Sequence, residues 1–214
     1  ETRVTPMILI DANQIAISHL MVRHKIEDGI NIESVRKSIV RVIGRIQRKF
    51  RGDYGQIVLC YDDKSYWRRQ VFPYYKMNRK QERENSKYDW DTVFSVLNKI
   101  RDELRNNFPY HVLQVDGAEA DDIIGALSYN SQEFGQHEPI MIVSADKDFI
   151  QLHKFDNVSQ YSPYSKALIK ERNPRFYLFE HIMRGDSSDG VPNVLSPDNA
   201  LVDGLRQSPL TSFS

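Results

Sequence analysis

Residues 140–148 read Ile-Met-Ile-Val-Ser-Ala-Asp-Lys-Asp, four consecutive apolar residues that run within a few positions into two carboxylates. A continuous apolar run, rather than an alternating one, is what a strand buried on both faces of a parallel sheet requires. The same arrangement occurs three times earlier in the chain. Met7–Ile10 runs into Asp11, Gln56–Tyr61 into Asp62, and His111–Val115 into Asp116, with Glu119, Asp121 and Asp122 opening the stretch that follows. Helical patterns lie between these runs. Val35, Ile39, Val42, Ile43, Ile46 and Phe50 recur at helical spacing, with Arg36, Lys37, Arg41, Arg45, Arg48 and Lys49 off the stripe. Val93, Phe94, Leu97, Ile100 and Leu104 mark a second amphipathic helix over Asp91–Asn107, and Ile123, Ile124 and Leu127 a third over Glu119–Tyr129. Strand–helix alternation of this kind predicts an α/β fold, a mostly parallel central sheet flanked by helices with right-handed crossovers.

Composition excludes several classes. The chain has 214 residues, 40% apolar and 27% charged, which suits one α/β domain with a real core and argues against wholesale disorder. A lone Cys60 excludes a disulfide framework and a Cys-rich zinc site and suits a reducing compartment, so the expected location is cytoplasmic, in the host cell if the protein is viral. The longest uncharged stretch near the start, Ala12–Val22, is too short and too polar for a membrane span. Lys+Arg and Asp+Glu both number 29, a net charge of zero, yet the charge is unevenly spread. Lys64–Lys87 holds eight basic residues against two acids, a net +6, whereas Asp116–Asp148 holds eight acids against Lys147, a net −7. An acidic block beside a basic one points to cation binding next to polyanion binding.

In an open parallel sheet the carboxyl ends of the strands form the ligand crevice, so acids from four separated segments would converge on one rim. Each acid alone has a structural explanation, as a turn residue or as a partner for free N–H groups in a helix's first turn. Together they repel, and such a cluster persists where cations neutralise it. All-oxygen ligation favours Mg²⁺ or Mn²⁺ over zinc. His19, His24, His111, His137, His153 and His181 show no paired metal-ligand spacing and read as structural or surface residues. A further acidic turn, Gly185-Asp-Ser-Ser-Asp-Gly190, follows the helical stretch Phe176–Arg184. It reads as a helix cap and loop, or as the source of a second metal site through Asp186 and Asp189. Two ions ~3.5–4 Å apart stabilise both the attacking and the leaving oxygen of an in-line phosphoryl displacement. No Gly-x-Ser-x-Gly elbow, Walker loop or Gly-x-Gly-x-x-Gly is present, which leaves metal-dependent phosphodiester chemistry as the leading enzyme class. Lys64–Tyr88 has no clean period and reads as a mobile or partly helical excursion. Its Tyr66-Trp-Arg-Arg69 and Tyr74-Tyr-Lys-Met-Asn-Arg79 interleave aromatics with cations, a composition suited to stacking bases and holding phosphates.

These motifs, in this order and spacing, resemble the 5′-nuclease (flap endonuclease) superfamily, and within it the ribonuclease H-type 5′→3′ exonucleases of T-even-type bacteriophages. The resemblance runs from about Met7 to Val194. It implies a PIN-like core in which Asp11, Asp62, Glu119, Asp121, Asp122 and Asp146 surround a first Mg²⁺. Asp148, Asp186 and Asp189 would hold a second, Asp146 lying near both, and Mn²⁺ would be able to substitute. It implies a basic helical arch over residues 64–90 through which a 5′ single strand passes. Arg68, Arg69, Tyr75, Lys76 and Arg79 would meet the nucleic acid there, with Lys76 and Arg79 joining Asp11, Asp62 and Asp146 in catalysis. The implied work is cleavage near 5′ ends and flaps of DNA or RNA–DNA and removal of RNA primers in lagging-strand synthesis. It would be done by a monomer beside a single-strand-binding protein and a sliding clamp, with no membrane partner.

The implied division is a catalytic core over residues 1–184. Residues 185–214 would begin a helix-hairpin-helix-type region that is incomplete or disordered, so the duplex-binding part reads as truncated. Two other readings share the acidic pocket, a non-catalytic nucleic-acid-binding homologue and a PIN-like endoribonuclease. Every acidic motif position is filled, against the first, and the basic aromatic insertion argues against the second.

Overall fold

The computed structural model describes residues 6–23, 29–133 and 137–211; His24 and the last three residues of the 185–214 region lie outside these. A six-stranded sheet forms its centre: β1 (Met7–Asp11), β2 (Gln56–Tyr61), β3 (His111–Gln114), β4 (Ile140–Val143), β5 (Val158–Ser162) and β6 (Ala167–Ile169). The strands lie in the order β3-β2-β1-β4-β5-β6 and pair in parallel, except that β6 runs antiparallel to β5. Ile10 stands opposite both Leu59 and Val143, and Leu59 opposite Val112, so the four expected strands finish at one level. The chain leaves β1 toward one edge of the sheet and later returns to its other side at β4. The crevice between the carboxyl ends of these two strands is the switch point where open α/β sheets bind ligands.

Helices cover both faces. α1 (Ala12–Arg23), α2 (Ile32–Tyr54) and α5 (Trp90–Asn107) lie on one side, where Val35, Ile39, Ile43, Ile46 and Phe50 of α2 meet Ile8, Ile10 and Leu59. On the other side α6 (Ala120–Asn130) packs Ile123 and Ile124 against Leu9, Cys60 and Ile142. Alternate residues of β1 therefore enter opposite cores, and Ile8, Leu9 and Ile10 are all 0% exposed, which is why the run is continuously apolar. Burial of each such side chain contributes about 1.5–3 kcal/mol. Local signals set the helix ends. The Asn31 side chain accepts from Ser34 N and Asp89 from Asp91 N and Thr92 N, at the starts of α2 and α5. Gly55, at φ 67°, closes α2 in a conformation that a side chain would oppose. No helix among the described residues is long and apolar enough to cross a membrane.

Two strands and one helix go beyond the sequence reading. α1 follows Asp11 directly. β5 reads Val-Ser-Gln-Tyr-Ser, and its polar residues break the apolar run that marks the other strands. Gln160 is nonetheless 1% exposed, because partners distant in sequence satisfy its amide. β6 is only three residues long. The excursion after Asp62 contains two short helices, α3 (Arg68–Val71) and α4 (Met77–Glu84), and α7 (Pro174–Arg184) precedes the acidic turn. Asp186 and Val191 form an antiparallel bridge across that turn. Beyond it, Asn193 N donates to Gln207 and Asn193 Nδ2 to the Ser208 carbonyl, drawing residues 207–208 back against the turn.

Candidate active site

The strand-end acids share one cavity. Asp11 at the end of β1, Asp62 just past β2, Glu119 and Asp121 at the start of α6, Asp146 and Asp148 after β4, and Asp189 line a space of about 340 Å³. Gln14, Lys76, Arg79 and Tyr164 complete much of the wall. The capping roles expected of single acids are also present. Asp62 Oδ1 accepts from Ala120 N at 2.7 Å, and Asp122 Oδ2 from Glu119 N at 2.9 Å. Asp146 Oδ1 accepts from Asp148 N at 2.9 Å, and Asp186 Oδ1 from Ser188 N at 2.8 Å. Backbone amides thus fix these carboxylates while the fold gathers them, so capping and clustering are compatible roles.

Burial raises the proton affinity of several of these acids. Burial, reinforced by the charges of Asp62 and Asp146 and opposed by the Gln14 amide and the Ser144 hydroxyl, lifts Asp11 to about 7. Burial likewise lifts Asp121 to about 7 despite Arg68, and Asp148 to about 6 with Asp146 adding to the effect. Asp189 is raised by burial against the pull of Lys76 and Arg79. Asp186 is the exception. Burial pushes it up, but bonds from the Ser188 hydroxyl and the amides of Ser188 and Asp189 outweigh that and leave it lowered.

The basic segment folds onto the acids. Arg68 Nη1 meets Glu119 Oε2 and Asp122 Oδ2, each at 2.8 Å, and its Nη2 meets Asp122 Oδ1 at 2.8 Å. Lys76 Nζ donates to Glu119 Oε1 at 2.5 Å, and Arg79 Nη2 donates to Asp189 Oδ1. Two observations differ from the sequence reading. Part of the neutralisation expected from metal ions comes from the chain's own cations, because the +6 segment lies against the −7 segment. Tyr75, expected to face nucleic acid, is 6% exposed, and its hydroxyl reaches Glu119 Oε2 at 2.9 Å and Asp189 Oδ2 at 3.1 Å. Its ring is a packing surface with Lys76 Nζ 4.9 Å from the centroid, so it offers no open face for a base in this arrangement. The segment also docks through its backbone. Lys76 N donates to Asp189 O at 2.7 Å, and Lys76 adopts a left-handed φ of 56°, a conformation that surrounding contacts must hold in a non-glycine residue. Arg69 is exposed, and with Tyr66, Lys76, Arg79, Lys80 and Arg83 it lines a cationic recess of about 180 Å³.

The closest-packed carboxylates fall within the two sets that the resemblance implies. Glu119, Asp121 and Asp122 bring carboxylate oxygens within 4.8 Å of one another, and Asp148, Asp186 and His181 form a second such group. Asp189 meets Lys76, Arg79 and Tyr75. Asp122 and Asp186 face a neighbouring, largely apolar groove of about 680 Å³ lined by Trp67, Phe72, Tyr129, Leu152 and Ile182. His181, read from sequence as structural or surface, has Nε2 3.1 Å from Asp148 Oδ1 and 4.0 Å from Asp186 Oδ2. Nothing in its local spacing marks it, since the helix α7 carries it to Asp148 only in the folded chain. Ser144 and Gln14 were missed for the same reason. Ser144 Oγ donates to Asp11 Oδ2 at 3.1 Å, and Gln14 Oε1 accepts from Ala145 N at 2.8 Å.

The residues fit a divalent cation. Asp121 Oδ1 is buried with no hydrogen bond, its near cation Arg68 Nη2 standing 3.6 Å away. The cavity wall is otherwise rich in carboxylate oxygen, the donor type that hard divalent ions take.

Comparison with known proteins agrees with this architecture. Residues 6–177 match the 5′-3′ exonuclease, N-terminal resolvase-like domain. Ribonuclease H of Enterobacteria phage T4 is 39% identical over 191 residues, which cover 87% of this chain and 62% of that protein. A 5′-3′ exonuclease of Buchnera aphidicola subsp. Schizaphis graminum is 30% identical over 174 residues, 77% of this chain and 57% of the relative. The chain thus spans about three fifths of the length of these relatives. Among solved structures, the T5 5′-exonuclease with divalent zinc ions bound superposes with a TM-score of 0.66 at 20% identity, covering 89% of this chain and 70% of that one. A bacteriophage T5 flap endonuclease in a pseudo-enzyme–product complex with DNA and metal ions gives 0.66 at 18% identity, over 88% and 69% of the two chains. With the domain matched across all six strands and the carboxylates gathered at its switch point, the chain belongs to the 5′-3′ exonuclease N-terminal resolvase-like domain family.

Proposed function

We propose that this chain carries the catalytic site of a Mg²⁺-dependent 5′ nuclease, with Mn²⁺ able to substitute. It would hydrolyse phosphodiester bonds near the 5′ ends of RNA or DNA as a 5′→3′ exonuclease and flap endonuclease. The observation that carries the reading is the convergence of seven carboxylates on one cavity at the sheet's switch point, with Lys76 and Arg79 in its wall. Asp11, Asp62, Glu119, Asp121, Asp122 and Asp146 would surround one ion; Asp148, Asp186 and Asp189, with His181 beside them, would serve a second. When bound, such a pair supplies hydroxide at neutral pH and charge stabilisation for an in-line displacement. The chain's own part is electrostatic. Lys76 and Arg79 would exchange carboxylate oxygens for those of the scissile phosphate and stabilise the charge that develops there. Arg68 would stay on Glu119 and Asp122, limiting repulsion inside the cavity. Arg69 and the cationic recess around it would hold the phosphates of the 5′ strand. Removal of RNA primers during lagging-strand synthesis, beside a single-strand-binding protein and a sliding clamp, is the role that suits these substrates.

The test is cleavage of 5′-end-labelled flap and RNA-primed duplexes with and without Mg²⁺ or Mn²⁺. Cleavage should require the ion, and Asp146→Ala should abolish it. Asp146 is exposed, and its side chain's one described bond is the cap to Asp148 N, so the variant should lose only about 1 kcal/mol of stability. Retained cleavage by Asp146→Ala would sink the site assignment. Binding without cleavage in both ions would point to a non-catalytic homologue, and preferred internal cuts in single-stranded RNA to an endoribonuclease.

A further inference from the structure

Behind the cavity lies a buried polar chain whose stabilising value to the core is hard to see. Gln160, in the middle of β5, is 1% exposed, and Ser144, just past β4, is 0% exposed. Gln160 Nε2 donates to Ser144 O at 3.0 Å and to Asp146 O at 2.6 Å. Both amide protons are thereby used, and their acceptors are carbonyls, so the amide's orientation is fixed. Gln160 Oε1 then faces His153 Nε2 at 2.9 Å. That oxygen has no proton, so the imidazole must donate from Nε2. Burial lowers His153's proton affinity, consistent with a neutral ring in that tautomer. Ser144 extends the chain forward. Its hydroxyl donates to Asp11 Oδ2 at 3.1 Å and accepts from Asp146 N at 3.1 Å. One buried oxygen thus ties the carboxylate at the end of β1 to the backbone of the carboxylate beyond β4, across the switch point. An aliphatic residue at position 160 would fill the core without the desolvation cost of an amide, so the position calls for a reason other than packing.

We infer that Ser144 and Gln160 are positioning residues: Gln160 clamps the Ser144–Asp146 turn from behind, and Ser144 sets Asp11 and Asp146 at the separation a shared cation requires. This rests on the proposed metal-dependent site. Outer partners that orient metal-binding carboxylates typically cost about 10–100-fold in metal affinity when removed.

The experiment measures Mn²⁺ binding to the full chain by the electron paramagnetic resonance signal of the free ion, with urea unfolding of each variant alongside. The variants are Ser144→Ala, Gln160→Met and, as control, Ser128→Ala, which removes another 0%-exposed hydroxyl, one that donates to Ile124 O within α6. Ser144→Ala and Gln160→Met should bind Mn²⁺ about 10–100-fold more weakly than the unaltered chain, with Ser128→Ala unchanged in affinity even where its stability falls. Should Gln160→Met not fold, the smaller Ser144→Ala change carries the test. Affinities within about twofold of the unaltered chain for the folded variants would overturn the positioning role and leave the metal site standing. Failure of the unaltered chain to bind Mn²⁺ would overturn both.

Discussion

Replacing Asp11 by Asn should make the ion-free protein more stable at neutral pH, and the gain should vanish on acidification. Asp11 takes up a proton at about 7 in the folded chain, against 3.8 for an unperturbed aspartate, chiefly because burial disfavours its charge. The folded state therefore binds this proton more tightly than the unfolded state. The associated stability is fully present below pH 4 and is lost as pH rises through 7. A difference of about 3 in pKa at about 1.4 kcal/mol each gives ~4 kcal/mol. Asp11 is only partly buried, so solvent screens part of this and the expected loss is about 2–4 kcal/mol. Asn keeps the size of the side chain and an oxygen for the Gln14 amide, but it never charges. In EDTA, urea unfolding at pH 4, 5, 6, 7 and 8 should give similar stabilities for the two proteins only at pH 4, with the variant's lead growing through pH 5 and 6. By pH 8 the variant should be ahead by about 2–4 kcal/mol. Mg²⁺ or Mn²⁺ at 1,000 times its Kd should erase this lead at pH 8, since it adds ~4.1 kcal/mol to the protein that binds it. Parallel pH curves for the two proteins would refute the claim that Asp11 is held as a strained buried charge.

Four other substitutions test the same structure. Arg68→Ala leaves the 2%-exposed Glu119 with Lys76 and Tyr75 alone, and should cost about 2–3 kcal/mol in EDTA but less with saturating Mn²⁺; an equal loss in both conditions would deny that arginine and metal serve the same carboxylates. Gly185→Ala would place a Cβ 2.4 Å from Pro192 O at a φ of 70°, so it should cost at least ~2 kcal/mol in urea unfolding and weaken Mn²⁺ binding. Gly125→Ala, inside α6 with nothing within 4 Å, should stabilise by about 0.5–1 kcal/mol. Arg69→Ala should lower affinity for a single-stranded oligonucleotide in EDTA and reduce the slope of log K against log salt by about 0.7, the value of one phosphate contact; an unchanged slope would remove Arg69 from the strand path.

Much of this protein was legible in its sequence because the signals are local. Four apolar runs, each running into acid, were enough to specify parallel strands with carboxylates at their ends. The stripe from Val35 to Phe50 specified a helix and its buried face, since hydrophobic burial depends on the period of the side chains and little else. The acids at the rim follow from the same reading, because a parallel sheet puts every strand's carboxyl end on one side. What escaped was satisfied only at a distance. β5 lacks the apolar run that marks the other long strands, and Gln160 is tolerable there because the Ser144 and Asp146 carbonyls and His153 arrive from other elements. His181 became a neighbour of Asp148 and Asp186 through the placement of α7. The destination of the basic segment was likewise undecided by its composition. Lys64–Lys87 could have pointed its cations to solvent, but the folded chain lays Arg68, Lys76 and Arg79 on the carboxylates. Sequence alone determined four of the sheet's six strands, the main flanking helices and the two opposed charge blocks. Tertiary structure decided that those blocks touch, because Coulomb attraction acts through space and depends on how the fold spends the distance between them.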